Sequence, residues 1–190
     1  MNGKNLTISV LMIALLFMSG CAVRRVSDDG MAATVALAND RTAQQLAADL
    51  TTLLGYRDDE TPRLAQTILA ETDTLARNYR VQPPALWHNF LVNVGIRDRG
   101  LCCHWTQDLL RKIETLQLQK YQAVWAVSRH GTWREHSCVV ITAAGQGLTT
   151  GLVLDAWRDA GHLHWTPVTE DRYTWQRHPG DNGADRIRCR

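Results

Sequence analysis

The stretches 121–128 (YQAVWAVS) and 136–143 (HSCVVITA) decide the fold. Both are rich in β-branched and aromatic residues, and their apolar period is near 2 rather than 3.6. Residues 152–157 (LVLDAW) and 162–167 (HLHWTP) repeat the pattern. His130-Gly131-Thr132, Gly145-Gln146-Gly147 and Asp159-Ala160-Gly161 stand between them as turns. Strands joined by short turns predict an antiparallel meander.

Upstream the period is helical. Residues 40–54 (DRTAQQLAADLTTLL) place Ala43, Leu46, Ala47, Leu50, Leu53 and Leu54 on one face, with Asp40 as N-cap and Gly55 as stop. A second helix is predicted from Thr61-Pro62 to about Tyr79, with Pro62 at its first position. A third covers about 85–94 and presents Leu86, Phe90, Leu91 and Val94 as its apolar side. A fourth runs from about Cys102 to Leu118, with Trp105, Leu109, Ile113 and Leu116 buried. Helices first and a meander after predict a single α+β domain over 40–176, its N-terminal helices packed on an antiparallel sheet. Residues 177–190 read as a polar tail.

The 190-residue chain carries 21 Lys+Arg against 19 Asp+Glu, a formal net charge of +2, and 45% hydrophobic residues. Such a composition excludes a disordered chain. It also offers no broad basic surface, so no nucleic-acid partner is expected. Residues 6–17 (LTISVLMIALLF) are uncharged but too short to span a bilayer, and Lys4 precedes them. Met18-Ser19-Gly20-Cys21 then resembles the lipobox of bacterial lipoproteins, which implies a signal peptide over 1–20 and acylation of Cys21. Residues 21–39 read as a lipidated tether. Ala22 after the Cys points to the outer membrane, with the folded part facing the periplasm. In such a space disulfides form, and Cys102, Cys103, Cys138 and Cys189 remain to make them.

Three residues combine chemistry with position. Cys102 follows Gly100-Leu101 at the start of a helix, His136 opens the second strand, and Asp155 lies at the end of the third. Neighbouring antiparallel strands bring His136 and Asp155 together. A helix N-terminus and an adjacent imidazolium favour a thiolate. The imidazole then serves as base and acid, and the carboxylate fixes its tautomer.

Gly100-Leu101-Cys102-Cys103-His104-Trp105-Thr106 resembles the Gly-x-Cys-x-x-aromatic-small element of transglutaminase-like cysteine enzymes, within the papain-like superfamily. His136-Ser137-Cys138-Val139-Val140-Ile141 resembles that family's His-bearing strand, and Val153-Leu154-Asp155 its Asp-bearing strand. The resemblance covers roughly residues 85–168. It implies a papain/transglutaminase-like core and a Cys102–His136–Asp155 triad acting on an amide bond through a thioester. The chain differs from the common pattern at Thr106, at Cys138 and at Ala156-Trp157.

Cys102 is favoured over Cys103 as nucleophile because it keeps the spacing to Gly100 and Trp105. Cys103 could pack inside, or pair with Cys138, Cys189 or its neighbour. Asn93 is the expected oxyanion donor, with Asn89 and Trp87 as alternatives. His162-x-His164 puts two imidazoles on one side of a strand, but no metal-ligand spacing accompanies it, so no metal and no cofactor are expected. Of the seven Trp, those at 125, 133, 157, 165 and 175 should mostly be core. The expected activity is that of a membrane-anchored cysteine peptidase, amidase or transamidase on a protein, peptide or cell-wall amide. The alternative is a catalytically inactive envelope lipoprotein that binds such a partner.

Overall fold

A computed structural model describes residues 42–53, 55 and 57–181. The expected signal peptide, the tether with Cys21, the cap Asp40, Leu54 and Cys189 lie outside the described residues. Helix α1 covers 42–53. Then come α2 (Glu60–Tyr79), α3 (Ala85–Asn93) and α4 (Cys102–Glu114). The strands are β1 (Tyr121–Ser128), β2 (His136–Ala143), β3 (Leu152–Asp159), β4 (His162–Pro167) and β5 (Gln176–Arg177). They form one antiparallel sheet in the order β4-β3-β2-β1-β5. The α+β architecture expected from the change of period is present.

The sheet has two apolar faces, as period-2 alternation in buried strands requires. One face, with Trp125, Val139, Ile141 and Leu154, packs against Leu46 and Leu50 of α1, Leu64 and Ile68 of α2, and Leu109 and Ile113 of α4. The other face, with Ala126, Cys138, Val140 and Val153, is covered by Val168, Tyr173 and Trp175 from the segment after β4.

Five details differ from the sequence reading, the first being that α4 ends at Glu114 rather than near Leu118 and leaves Leu116 half-buried. Helix α2 begins at Glu60, so Pro62 is its third residue, still within the first turn, where its missing N–H donor breaks no intrahelical bond. Strand β3 runs on to Asp159, and its register with β4 shifts between Asp155 and Asp159. Asp155 therefore sits at a bulge inside the strand rather than at its end. The sheet also reaches past residue 176, because β5 pairs with β1 and the His178 N–H donates to the Trp125 carbonyl at 2.9 Å. Finally, α3 buries Ala85, His88 and Leu91 and leaves Leu86, Phe90 and Val94 exposed. The apolar stripe read as its core side faces outward, while a histidine takes the inner position.

Candidate active site

The site starts from the turn into α4. Leu101 is the extended N-cap, and Cys102 is the first helical residue. Gly100 has φ +128, a region L side chains avoid, and a Cβ there would lie 2.1 Å from the His88 Nε2. Its neighbours hold it from every side. The Gly100 and Leu101 N–H groups both donate to His104 Nδ1 at 3.2 Å. Trp105 Nε1 donates to the Gly100 carbonyl at 3.1 Å. His88 accepts from the Gln82 N–H at Nδ1, so its Nε2 is the donor to the Arg99 carbonyl at 3.0 Å. Arg99 pairs with Asp108 at 2.8 Å, and the Tyr79 hydroxyl donates to the same carboxylate at 2.6 Å. Burial and the Arg99 charge push the His104 imidazolium down in pKa, which suits its acceptor role. The Cys elbow is thus fixed by buried side chains of α2, α3 and α4.

Across from it, β2 and β3 pair through Val139↔Leu154. Continuing that register sets Cys138 opposite Asp155, with His136 diagonal to it on the same face. Asp155 is 1% exposed. Its Oδ2 accepts from His136 Nε2 at 2.7 Å and from Arg158 Nε at 3.0 Å. Its Oδ1 accepts the backbone N–H groups of Trp157 and Arg158 at 3.1 and 3.0 Å, which the bulge turns inward. Burial raises this carboxyl, but the hydrogen bond and charge of His136, with the Arg158 charge, hold it below the usual range. Arg158 also donates to Asp171 at 2.8 Å, and Asp171 in turn accepts from Trp175 Nε1 at 3.1 Å.

His136 is buried among Trp157, Tyr173 and Trp175, whose ring centroids lie 4.7, 4.8 and 5.4 Å away. With Nε2 engaged by Asp155, the buried Nδ1 makes no hydrogen bond among the described residues. The Cys102 sulfur is the group that acts on this ring besides Asp155. Burial disfavours the imidazolium, yet the hydrogen bond and charge of Asp155, with the nearby Cys102 sulfur, raise its pKa to about 9. Cys102 is a half-buried free thiol. The structure therefore brings Cys102, His136 and Asp155 into one cluster.

Cys103 is disulfide-bonded, whereas Cys102 and Cys138 are free. This removes the Cys102–Cys103 and Cys103–Cys138 pairings. Cys138 lies wholly buried, and its thiol is pushed up by burial and by the Asp155 carboxylate. Asn93 is exposed at the last position of α3. One turn earlier, Asn89 accepts from Trp157 Nε1 at 2.8 Å, so Asn89 is the amide tied to the cluster. Trp87 is exposed. The backbone N–H of Cys102, at the first helical position, remains the donor nearest the thiol, since the first N–H groups of a helix have no intrahelical acceptor.

His162 is exposed, and His164 stands 3.8 Å from Asp159. Donor atoms of His130, Glu135 and His178 converge within 4.8 Å of one another. His178 Nδ1 accepts from the Gly180 N–H at 3.0 Å, so in the neutral ring its Nε2 carries the proton.

The sequence reading missed Arg158, Asp171 and Tyr173, and took Trp175 only as one of the Trp expected to be mostly core, not as a neighbour of His136. The Arg–Asp pair had one signal, an Arg three residues after the candidate Asp; the aromatic cover comes from a segment with no periodicity. No family model, no curated protein and no solved structure matches this chain.

Proposed function

We propose that this chain is an extracytoplasmic, lipid-anchored cysteine hydrolase or acyltransferase that cleaves or exchanges an amide bond. One observation carries the reading. The Asp155 carboxylate holds His136 Nε2 at 2.7 Å, which leaves the buried Nδ1 to the Cys102 thiol. An imidazole oriented at one nitrogen and open at the other is what a thiol nucleophile requires.

In the proposed reaction, the Cys102 proton rests on His136 Nδ1 and the thiolate attacks the amide carbon. The S–C bond forms as the carbonyl becomes an oxyanion facing the Cys102 N–H. The imidazolium gives its proton to the nitrogen, the C–N bond breaks, and the amine leaves a thioester. Water or a second amine then adds, delivers its proton to His136, and expels the thiolate. The order of events needs only groups on this chain and the substrate. The outer-membrane, periplasm-facing location follows from the lipobox reading and Ala22.

The burial of His136 under three aromatic rings favours a second reading, a silent envelope lipoprotein that keeps the cluster for structure. A peptide vinyl sulfone separates the two. The enzyme reading expects a covalent adduct on Cys102 in the wild type and none in His136→Ala. An intact Cys102 after prolonged exposure favours the silent reading.

A further inference from the structure

The outward face of α3 is a feature that the proposed reaction leaves unused. Leu86, Trp87, Phe90, Val94 and Ile96 are 47–72% exposed, although each is large and apolar. Leu86, Phe90 and Val94 follow at four-residue steps, so they form one row, and Trp87 stacks on Phe90 with centroids 5.3 Å apart. Single exposed apolar residues need no explanation, but a contiguous row marks an interaction surface. Arg80 and Arg97 border it, joined by a bond from Arg97 Nε to the Arg80 carbonyl at 3.4 Å, and neither has a carboxylate partner among the described residues. Asp98, next to Arg97 in the chain, is an exposed acid. The surface is the convex side of a helix, not a groove shaped for a peptide.

We propose that this face rests on the phospholipid surface, with Trp87 and Phe90 at headgroup level and Arg80 and Arg97 on anionic headgroups. Trp at an interface and arginines beside an apolar row are the features that bilayers select. The inference rests on the reading of Cys21 as a lipidation site. A tether of about 20 residues reaches at most roughly 70 Å, so it keeps the face near the membrane and makes weak interfacial contacts effective. The inner side of α3 carries His88 against Gly100, and Asn89 against Trp157 beside His136. Seating α3 on the bilayer therefore sets the triad close to the membrane surface, and the substrate amide is membrane-proximal.

The test reconstitutes the full chain in phosphatidylethanolamine–phosphatidylglycerol vesicles with brominated acyl chains and reads tryptophan quenching. The wild type is expected to lose emission, Trp87→Phe to lose that bromine-dependent part, and Leu86→Ser/Phe90→Ser to reduce it while keeping Trp87. Replacing phosphatidylglycerol by phosphatidylcholine should weaken quenching through loss of the headgroup charge. Equal quenching of wild type and Trp87→Phe overturns the proposal. So does a dimer in detergent that Leu86→Ser/Phe90→Ser converts to a monomer, because the face then joins two copies. Intact mass of the same sample reads Cys21. An acylated chain with unquenched Trp87 overturns the face alone, and an unacylated chain with quenched Trp87 overturns the anchor alone.

Discussion

Replacing Asp155 by Asn keeps the size of the side chain and removes its charge. The Oδ1 position can still accept the Trp157 and Arg158 N–H groups. The amide NH2 then faces His136 Nε2 and Arg158 Nε, where it meets a donor from Arg158. Only a neutral His136 with its proton on Nδ1 can accept from that amide, and such a ring cannot take a proton from Cys102. Burial remains, so the imidazole pKa should fall from about 9 to 6.5 or below. A fall of that size corresponds to about 3 kcal/mol, or roughly 300-fold in the imidazolium population.

The sign for stability follows from linkage. A folded-state pKa raised above the unfolded value contributes stability that is complete below pH 6.5 and lost as pH rises through about 9. Asp155→Asn should therefore lower unfolding free energy by about 3 kcal/mol at pH 6 and by much less at alkaline pH. Urea unfolding at several pH values measures this, and a histidine-detected NMR titration follows His136 directly. An unchanged His136 titration, or a stability loss that does not shrink with pH, refutes the coupling.

Other outcomes follow from the same geometry. Gly100→Ala should cost about 3 kcal/mol or more, because it strains a left-handed backbone and drives a methyl into His88; a melting temperature close to wild type contradicts the elbow as drawn. Trp157→Phe removes the bond to Asn89 and should cost about 1 kcal/mol, read by denaturant midpoint. If turnover on an amide substrate is found, its alkaline limb should fall near pH 9, where the imidazolium that protonates the leaving amine disappears. A rate still rising above that pH places the acid elsewhere.

Much of the fold is legible in the chain because period and turn chemistry agree. Strands β1, β2 and β4 begin and end where alternation begins and ends, and Gly131, Gly145 and Gly161 mark the turns with positive φ. The third helix is where the pattern misleads. An apolar row ordinarily marks the buried side, but here His88 takes the inner face, where its two nitrogens are satisfied by the Gln82 N–H and the Arg99 carbonyl. Tertiary hydrogen bonds decide that orientation, and no local period encodes them. Cys102, His136 and Asp155 could be chosen from residue type and element, since a helix start and two neighbouring strands limit where their side chains can meet. Arg158 and Asp171 could not, because their roles depend on a bulge in β3 and on a nonperiodic segment folding over the sheet. Tyr173 and Trp175 lie in that same segment, so their packing on His136 has no signature in spacing.

The most direct measurement of the proposed thiolate–imidazolium pair is the pH dependence of iodoacetamide alkylation at Cys102, mapped by mass spectrometry in wild type and His136→Ala. The account predicts that Cys102 is alkylated faster in the wild type than in His136→Ala. Equal alkylation of the two proteins across the pH range would contradict it.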